Sequence, residues 1–273
     1  MSLHHYTDAN AIYSIIDKQK IWLTDLRFLN DKEEHKNGFD IFKDLLKSYE
    51  INKNFGSTSR EWILDSLIDR RESLAPTFVF SLTSSDDLLS QWRSYGDYSI
   101  EFHKLKLQAL IPELKACVYK LEQKKTEALS ALKSALVVID ADSKKGPPSG
   151  DSIDELIRLS RIAAYYKDDG FSEEEEFRIV SQDKLIFPDS GGTGEATREF
   201  RVRGNVLIPY IALQVPLDCI KSIKIGPIRD QVLAYLSMKE FVGDKLIKFN
   251  ELSNSDIEHY IDVTKSRIPY RGL

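Results

Sequence analysis

Residues 171–180 read FSEEEEFRIV, four glutamates from Glu173 to Glu176 running straight into an apolar, β-prone stretch. Side chains alternate along a strand. Glu174, Glu176 and Arg178 are therefore expected on one face, with Phe177 and Ile179 on the core face beside Glu175. Two carboxylates spaced E-x-E can be aimed into one cleft. Each raises the pKa of the other, and an arginine next in line lowers it again. Such a pair suits chemistry at a sugar carbon, where positive charge develops in the transition state. The same residues also read as a solvated edge strand whose charges discourage aggregation.

Three further stretches carry side chains suited to a site. HHYT (4–7) places His5 near the end of a first strand and ahead of a capped helix. There it can donate to a ribose hydroxyl, or it can be an ordinary half-buried histidine. FSLTSSDDLLSQWRSYGD (80–97) puts Ser81 on a strand and Trp92 and Tyr95 three apart on the following helix. One face of that helix can stack a flat ring, although aromatics at this spacing, Trp92 above all, are common in cores. NDKEEH offers Asp31, Glu34 and His35, which match no metal template. SGGTG (190–194) lacks the GK[ST] and helix start of a phosphate loop and reads as a hairpin tip. G-x-S-x-G is absent, and neither cysteine lies in a nucleophile motif.

These stretches need elements to hold them. TFVFSLT (77–83) is the clearest buried strand of the N-terminal half. A helix follows LHHYT, capped by Thr7 or Asp8, with Ile12, Ile15 and Ile16 as its apolar stripe. Further helices are expected over 30–50, with Phe39, Ile41, Phe42, Leu45 and Leu46 inward, and from capping boxes at Thr58/Glu61 and Ser152/Glu155. Another is expected over 122–136. DSKKGPPSGD (142–151) reads as a flexible surface loop within one domain. The C-terminal third reads as strands at 176–181, 184–187, 199–203, 206–215 and 220–225, then helices near 229–241 and 255–260. Helices early and strands late, with no regular alternation, predict a single α+β domain spanning 1–273.

Composition limits the classes. The net charge of −5 disfavours broad electrostatic capture of nucleic acid. Two cysteines, Cys117 and Cys219, are too few for a disulfide scaffold and suit a reducing cytoplasm. No apolar run approaches a membrane span, and MSLHHYTDAN is not a signal segment.

Taken in order, HHYT, IWLTDLRFLNDKEE (21–34), FVFSLTSSDDLLSQWRSYGD (78–97), KDDGFSEEEEFRIV (167–180), IPYI (208–211), IKIGP (223–227) and SRIPYR (266–271) are similar to a bacterial family called domain of unknown function 2971. The layout also resembles that of the ADP-ribosyltransferases: an early strand histidine, a middle strand serine with an aromatic helix after it, and a late strand glutamate. That resemblance implies NAD as substrate. His5, with Tyr6 and Thr7 beside it, would hold a ribose near Ser81, and Tyr95 or Trp92 would stack nicotinamide. Glu176 or Glu174 would bind the ribose 2′-hydroxyl and stabilise the transition state, next to Arg178. The aromatic spacing departs from that of the best-known transferases, and the SRIPYR tail has no counterpart there. Arg271 in that tail is expected to face the acidic cleft or the phosphates of the ligand. The role implied is that of a toxin or phage-defence effector, with nucleic acid or protein as acceptor. Two other readings use the same residues: a non-catalytic module binding a nucleotide or a partner, and a metal-dependent nuclease using Asp31, Glu34, Glu174 and Glu176.

Overall fold

Asp8 divides the first strand from the first helix. Its side chain accepts from the amide of Ala11 at 2.9 Å, capping a first-turn donor. β1 (Ser2–Thr7) thus passes directly into α1 (Ala9–Lys18), whose Ile12, Ile15 and Ile16 are buried. Gln19, at φ 52°, ends α1 and turns the chain into β2 (Lys20–Asp25). In this computed structural model the described residues are 2–29, 34–69, 76–146, 149–182, 198–252 and 259–269.

The helices form a cluster of their own. α2 (Glu34–Leu46), α3 (Tyr49–Asn54), α4 (Ser57–Leu64), α7 (Leu121–Ser143) and α8 (Gly150–Ala163) enclose Phe39, Phe42, Leu132, Leu136 and Leu159. The expected inward face of α2 holds, with Phe39, Phe42 and Leu46 buried and Ile41 and Leu45 partly so. Both capping boxes are misplaced. α4 begins after Gly56 and α8 after Ser149, and neither helix has a side-chain capping bond at that residue. Ser152 instead donates to Asp142 at 2.5 Å, and the same carboxylate accepts from the amide of Ser149 at 2.7 Å. Asp142 thereby ties α7 to α8. The connection is shorter than the expected 142–151, because α7 runs to Ser143 and α8 starts at Gly150. Pro147 and Pro148 lie outside the described residues.

The sheet is built from β3 (Thr77–Thr83), β4 (Tyr98–His103), β5 (Lys115–Ala116), β6 (Glu176–Gln182), β7 (Arg198–Arg203), β8 (Val206–Gln214), β9 (Ile220–Ile225) and β10 (Asp262–Lys265), together with β1 and β2. Its main order is β10-β9-β4-β1-β3-β2-β8-β7, with β6 on β3 and β5 on β6. β9 and β10 are parallel, and the other described pairs are antiparallel. The fold is α+β, as the sequence predicts. One edge of β3 pairs with β6 along its whole length, from Thr77–Gln182 to Thr83–Glu176. The other edge is divided: β2 takes Phe78 and Val79, and β1 takes Thr83. β1 and β2 diverge between those points, and Ser81 lies in the gap.

Alternation gives the sheet two unlike faces. Leu3, Ile21, Leu23, Phe80, Leu82, Ile100, Ile179, Ile211 and Ile223 point to one side, where α1, α6 (Lys104–Leu110) and α9 (Gln231–Leu252) complete the main core. The opposite face is largely polar. One row crosses four strands as Glu101, His4, Thr83 and Glu176. Two segments stand over this polar face. One is α5 (Leu89–Tyr95), and the other is the stretch from Ala164 to Glu176.

The strand expected at 184–187, the glycine-rich tip at 190–194 and most of the short helix near 255–260 lie outside the described residues. The helix predicted at 229–241 is longer and runs from Gln231 to Leu252.

Candidate functional site

Four stretches far apart in sequence meet at one cavity. Its wall is made by His4, His5 and Tyr6 of β1, Ser81, Leu82 and Thr83 of β3, Gln91 and Tyr95 of α5, and Glu174 with Glu176 at the start of β6. The cavity measures about 50 Å³. That is room for a few waters or one hydroxylated edge of a sugar. It falls well below the roughly 300–1,000 Å³ that encloses a whole drug-sized ligand.

Glu176 is the fixed point of the site. It is 5% exposed, and its amide donates to the hydroxyl of Tyr119 at 2.8 Å. Arg178 donates through Nε to Oε1 at 2.6 Å and through a terminal nitrogen to Oε2 at 3.1 Å. Lys167 Nζ lies 2.5 Å from Oε2 of Glu176 and 2.5 Å from Oε2 of Glu174. Burial alone would raise the pKa of Glu176, but the charges of Arg178 and Lys167 outweigh it and hold the value at about 2. The carboxylate is therefore ionised throughout the neutral range. Arg178 is itself buried and bonded to the carbonyl of Ala164 at 2.8 Å, so it holds Glu176 in place and is not on the cavity wall.

The expected alternation holds from Glu176 onward but not before it. Glu174 ends a 3-10 turn, and Glu175 sits at φ 42°. Glu174 reaches the cavity through that turn. Glu175 instead bonds Ser84 Oγ and fixes the strand start.

The two adjacent histidines divide between the faces. His4 pairs with Thr83 and shares the Glu176 face. His5 points to the core side, stacks on Phe80 at 4.1 Å between ring centroids, and bonds the Ser81 carbonyl through Nδ1 at 2.8 Å. This contact stands in for the ladder bond that β1 and β3 have lost at the gap. Burial pushes the pKa of His5 down to about 4. A neutral ring that donates from Nδ1 keeps its acceptor at Nε2. The sequence picks out His5, which lies on the cavity wall, and the register adds His4, which faces the same way as Glu176 across the Thr83 strand. Burial also lowers the pKa of His4, against the charges of Glu101 and Asp86.

Of the two aromatic candidates, Tyr95 lines the cavity and is 41% exposed, whereas Trp92 is 5% exposed. Trp92 meets Tyr6 edge-on at 4.6 Å and donates to Asp87 at 2.8 Å. It therefore serves packing. Asp87 also accepts from Ser266 Oγ at 2.7 Å and from the amide of Arg267 at 3.2 Å, which secures the chain after β10. Thr7 is off the cavity wall. Arg271 lies outside the described residues.

Sequence reasoning passed over Lys167, a single lysine after Tyr165 and Tyr166, and also Glu101 and Arg201. Arg201 donates to Thr24 Oγ1 at 2.9 Å and lies 5.6 Å over the ring of Trp22. Its charge helps lower the pKa of His5, which places it near the gap.

Asp31 lies outside the described residues, as does the side chain of Glu34. Among the described residues no group of three or more histidine, cysteine, aspartate or glutamate side chains could hold a metal. The Lys167 ammonium occupies the position between Glu174 and Glu176 that a cation would take. No described helix is long and apolar enough to cross a membrane. Compared with protein-family models, curated proteins and solved structures, the chain matches none.

The ion pairs carry a pH dependence. Glu176 is held at about 2, and so is Glu101, which burial would raise but Lys221 and Ser222 hold down through bonds of 2.7 and 2.6 Å. Both folded values lie below the ordinary 4.5, so the unfolded chain binds the extra protons. Their stabilisation is complete above about pH 4.5 and is lost as pH falls toward about 2, at about 1.4 kcal/mol per pH unit for Glu176 and less for Glu101, whose lysine partner is half exposed to screening water. Urea midpoints measured across this interval should fall steeply. A flat profile would show that neither pair is held in solution.

Proposed function

We propose that the cavity binds the ribose edge of NAD and that the protein is an ADP-ribosyltransferase-like enzyme, working in the cytoplasm on a nucleic-acid or protein acceptor. The observation that carries this reading is the meeting of His4, Ser81, Tyr95, Glu174 and Glu176, from four separate stretches, on one wall. Their order along the chain resembles that of the transferases, with His4 in the place first given to His5.

The chemistry of the wall fits a sugar. The Ser81 hydroxyl and the His4 ring can exchange hydrogen bonds with ribose hydroxyls. Glu176 stays ionised without a proton to lose, as a group facing a developing positive charge must. Tyr95 offers a ring at the mouth of the cavity. The volume fits only one edge of the ligand, so the rest of a dinucleotide would lie along the polar surface.

One observation favours a second reading. Glu176 already shares its charge with Arg178 and Lys167, which weakens its pull on a developing cation. A module that binds a nucleotide without turning it over needs no such pull. Calorimetric titration with NAD, followed by an assay of nicotinamide release, separates the two. Under the enzyme reading the protein binds NAD and releases nicotinamide. Tyr95→Ala should weaken binding about tenfold, measured on protein shown to be folded at the titration temperature. Binding without release supports the second reading. No binding of NAD removes both.

A further inference from the structure

α9 is apolar on two sides. Met238, Val242 and Leu246 are buried in the main core. A second stripe faces outward, with Val232, Leu236 and Ile247 exposed at 62%, 52% and 60%. A surface helix ordinarily turns one apolar face inward and a polar face to water. With Gly243, these residues recur at i, i+4, i+11 and i+15, which places them in one line on a helix of 3.6 residues per turn. Lys239 and Glu240, both exposed, occupy the turn in the middle of that line.

The line is symmetric. Val232 and Ile247 stand equally far from the point between Lys239 and Glu240, as do Leu236 and Gly243. We infer that α9 is a self-association surface, on which two copies of this chain pair their α9 helices antiparallel about a two-fold axis through that point. In a two-fold interface each residue meets the one at the mirrored position. Val232 then packs on the partner's Ile247, and Leu236 on the partner's Gly243. Lys239 pairs with the partner's Glu240, and the reciprocal contacts repeat all three. A Cβ built on Gly243 meets nothing within 4 Å, so the surface above it is open to a leucine. A trough of about 810 Å³ runs along the same flank of α9, with Tyr260 on its far wall at 76% exposure, and gives a partner helix room to settle. Apolar residues meet apolar ones, the largest side chain meets the smallest, and opposite charges meet at the axis. Parallel pairing would set like residues against like, which keeps apolar on apolar but sets Leu236 against leucine and Lys239 against lysine.

Sedimentation velocity on the wild type and two variants tests the inference. The wild-type chain should be a dimer in reversible exchange with monomer. Glu240→Lys sets lysine against lysine at the axis and should raise the dimer dissociation constant about tenfold or more. Lys239→Glu combined with Glu240→Lys restores opposite charges across the axis and should bring the constant back. Both positions are exposed, so the melting temperature, measured at low concentration, should hardly move. A wild type that stays monomeric up to roughly 100 μM, a dimer indifferent to Glu240→Lys, or a double variant no better than the single would each overturn it.

Discussion

Glu176→Ala is expected to cost about 3–5 kcal/mol of folding stability, the range for breaking a buried ion pair from one side. The change deletes a carboxylate and leaves Arg178, 2% exposed, with its main anionic partner gone. Lys167, equally buried, keeps Glu174. The loss therefore comes mostly from a buried guanidinium that has lost both of its bonds to that carboxylate. Glu176→Gln should cost less, because an amide of the same length can still accept from Arg178, though without charge. Glu176→Ala combined with Arg178→Met should recover part of the loss, since removing both charges removes the uncompensated one. Urea unfolding of the three variants checks this. A loss below about 1 kcal/mol for Glu176→Ala would mean that water reaches these groups and screens them. The result also governs the functional assay. A drop in nicotinamide release by a Glu176 variant counts as chemistry only when the variant is shown to be folded at the assay temperature.

Gly96→Ala is the second change with a large expected effect. Gly96 ends α5 at φ 133° and ψ −174°, a conformation open almost only to glycine. A Cβ there would lie 2.4 Å from the carbonyl oxygen of Thr7 and 2.6 Å from its carbon, both backbone atoms of β1. Neither the angle nor the neighbour can yield cheaply. Strain and overpacking together should cost about 3 kcal/mol or more. The effect should extend beyond stability, because this close approach seats Tyr95 beside β1 at the mouth of the cavity. Folded Gly96→Ala protein should therefore bind NAD more weakly than Tyr95→Ala. A melting temperature within a degree or two of wild type would show that β1 and α5 do not meet so closely.

Much of the scaffold was legible because it follows short-range rules. TFVFSLT is a strand at the predicted residues, and the α1 stripe is buried as its spacing requires. Phe177 and Ile179 face the opposite side from Glu176 and Arg178, as alternation demands. The features that the sequence leaves open depend on pairings between distant segments. Nothing local distinguishes His4 from His5. Only the pairing of β1 with Thr83 assigns one to the carboxylate row and the other to the core. Lys167 carries no motif, and its part in the site comes from the turn that folds 169–174 back onto β6. The capping boxes failed because α4 and α8 each begin earlier than the box, where packing against α7 and the Asp142 tie set the start.

The divided edge of β3 bears on the order in which the molecule assembles. Within the helical cluster only α7 and α8, tied by Asp142, are neighbours in sequence and can pair early. β3 joins the β1 and β2 halves of the sheet, and its full-length partner β6 arrives only after the chain from Thr83 to Glu176, roughly ninety residues, has been closed into a loop, an entropic cost of about 4 kcal/mol. Pairings of such long range form slowly. The gap at Ser81 has walls only once β1, β3, α5 and β6 are all in place, so the cavity is among the last features to appear during folding and among the first to go when β6 detaches.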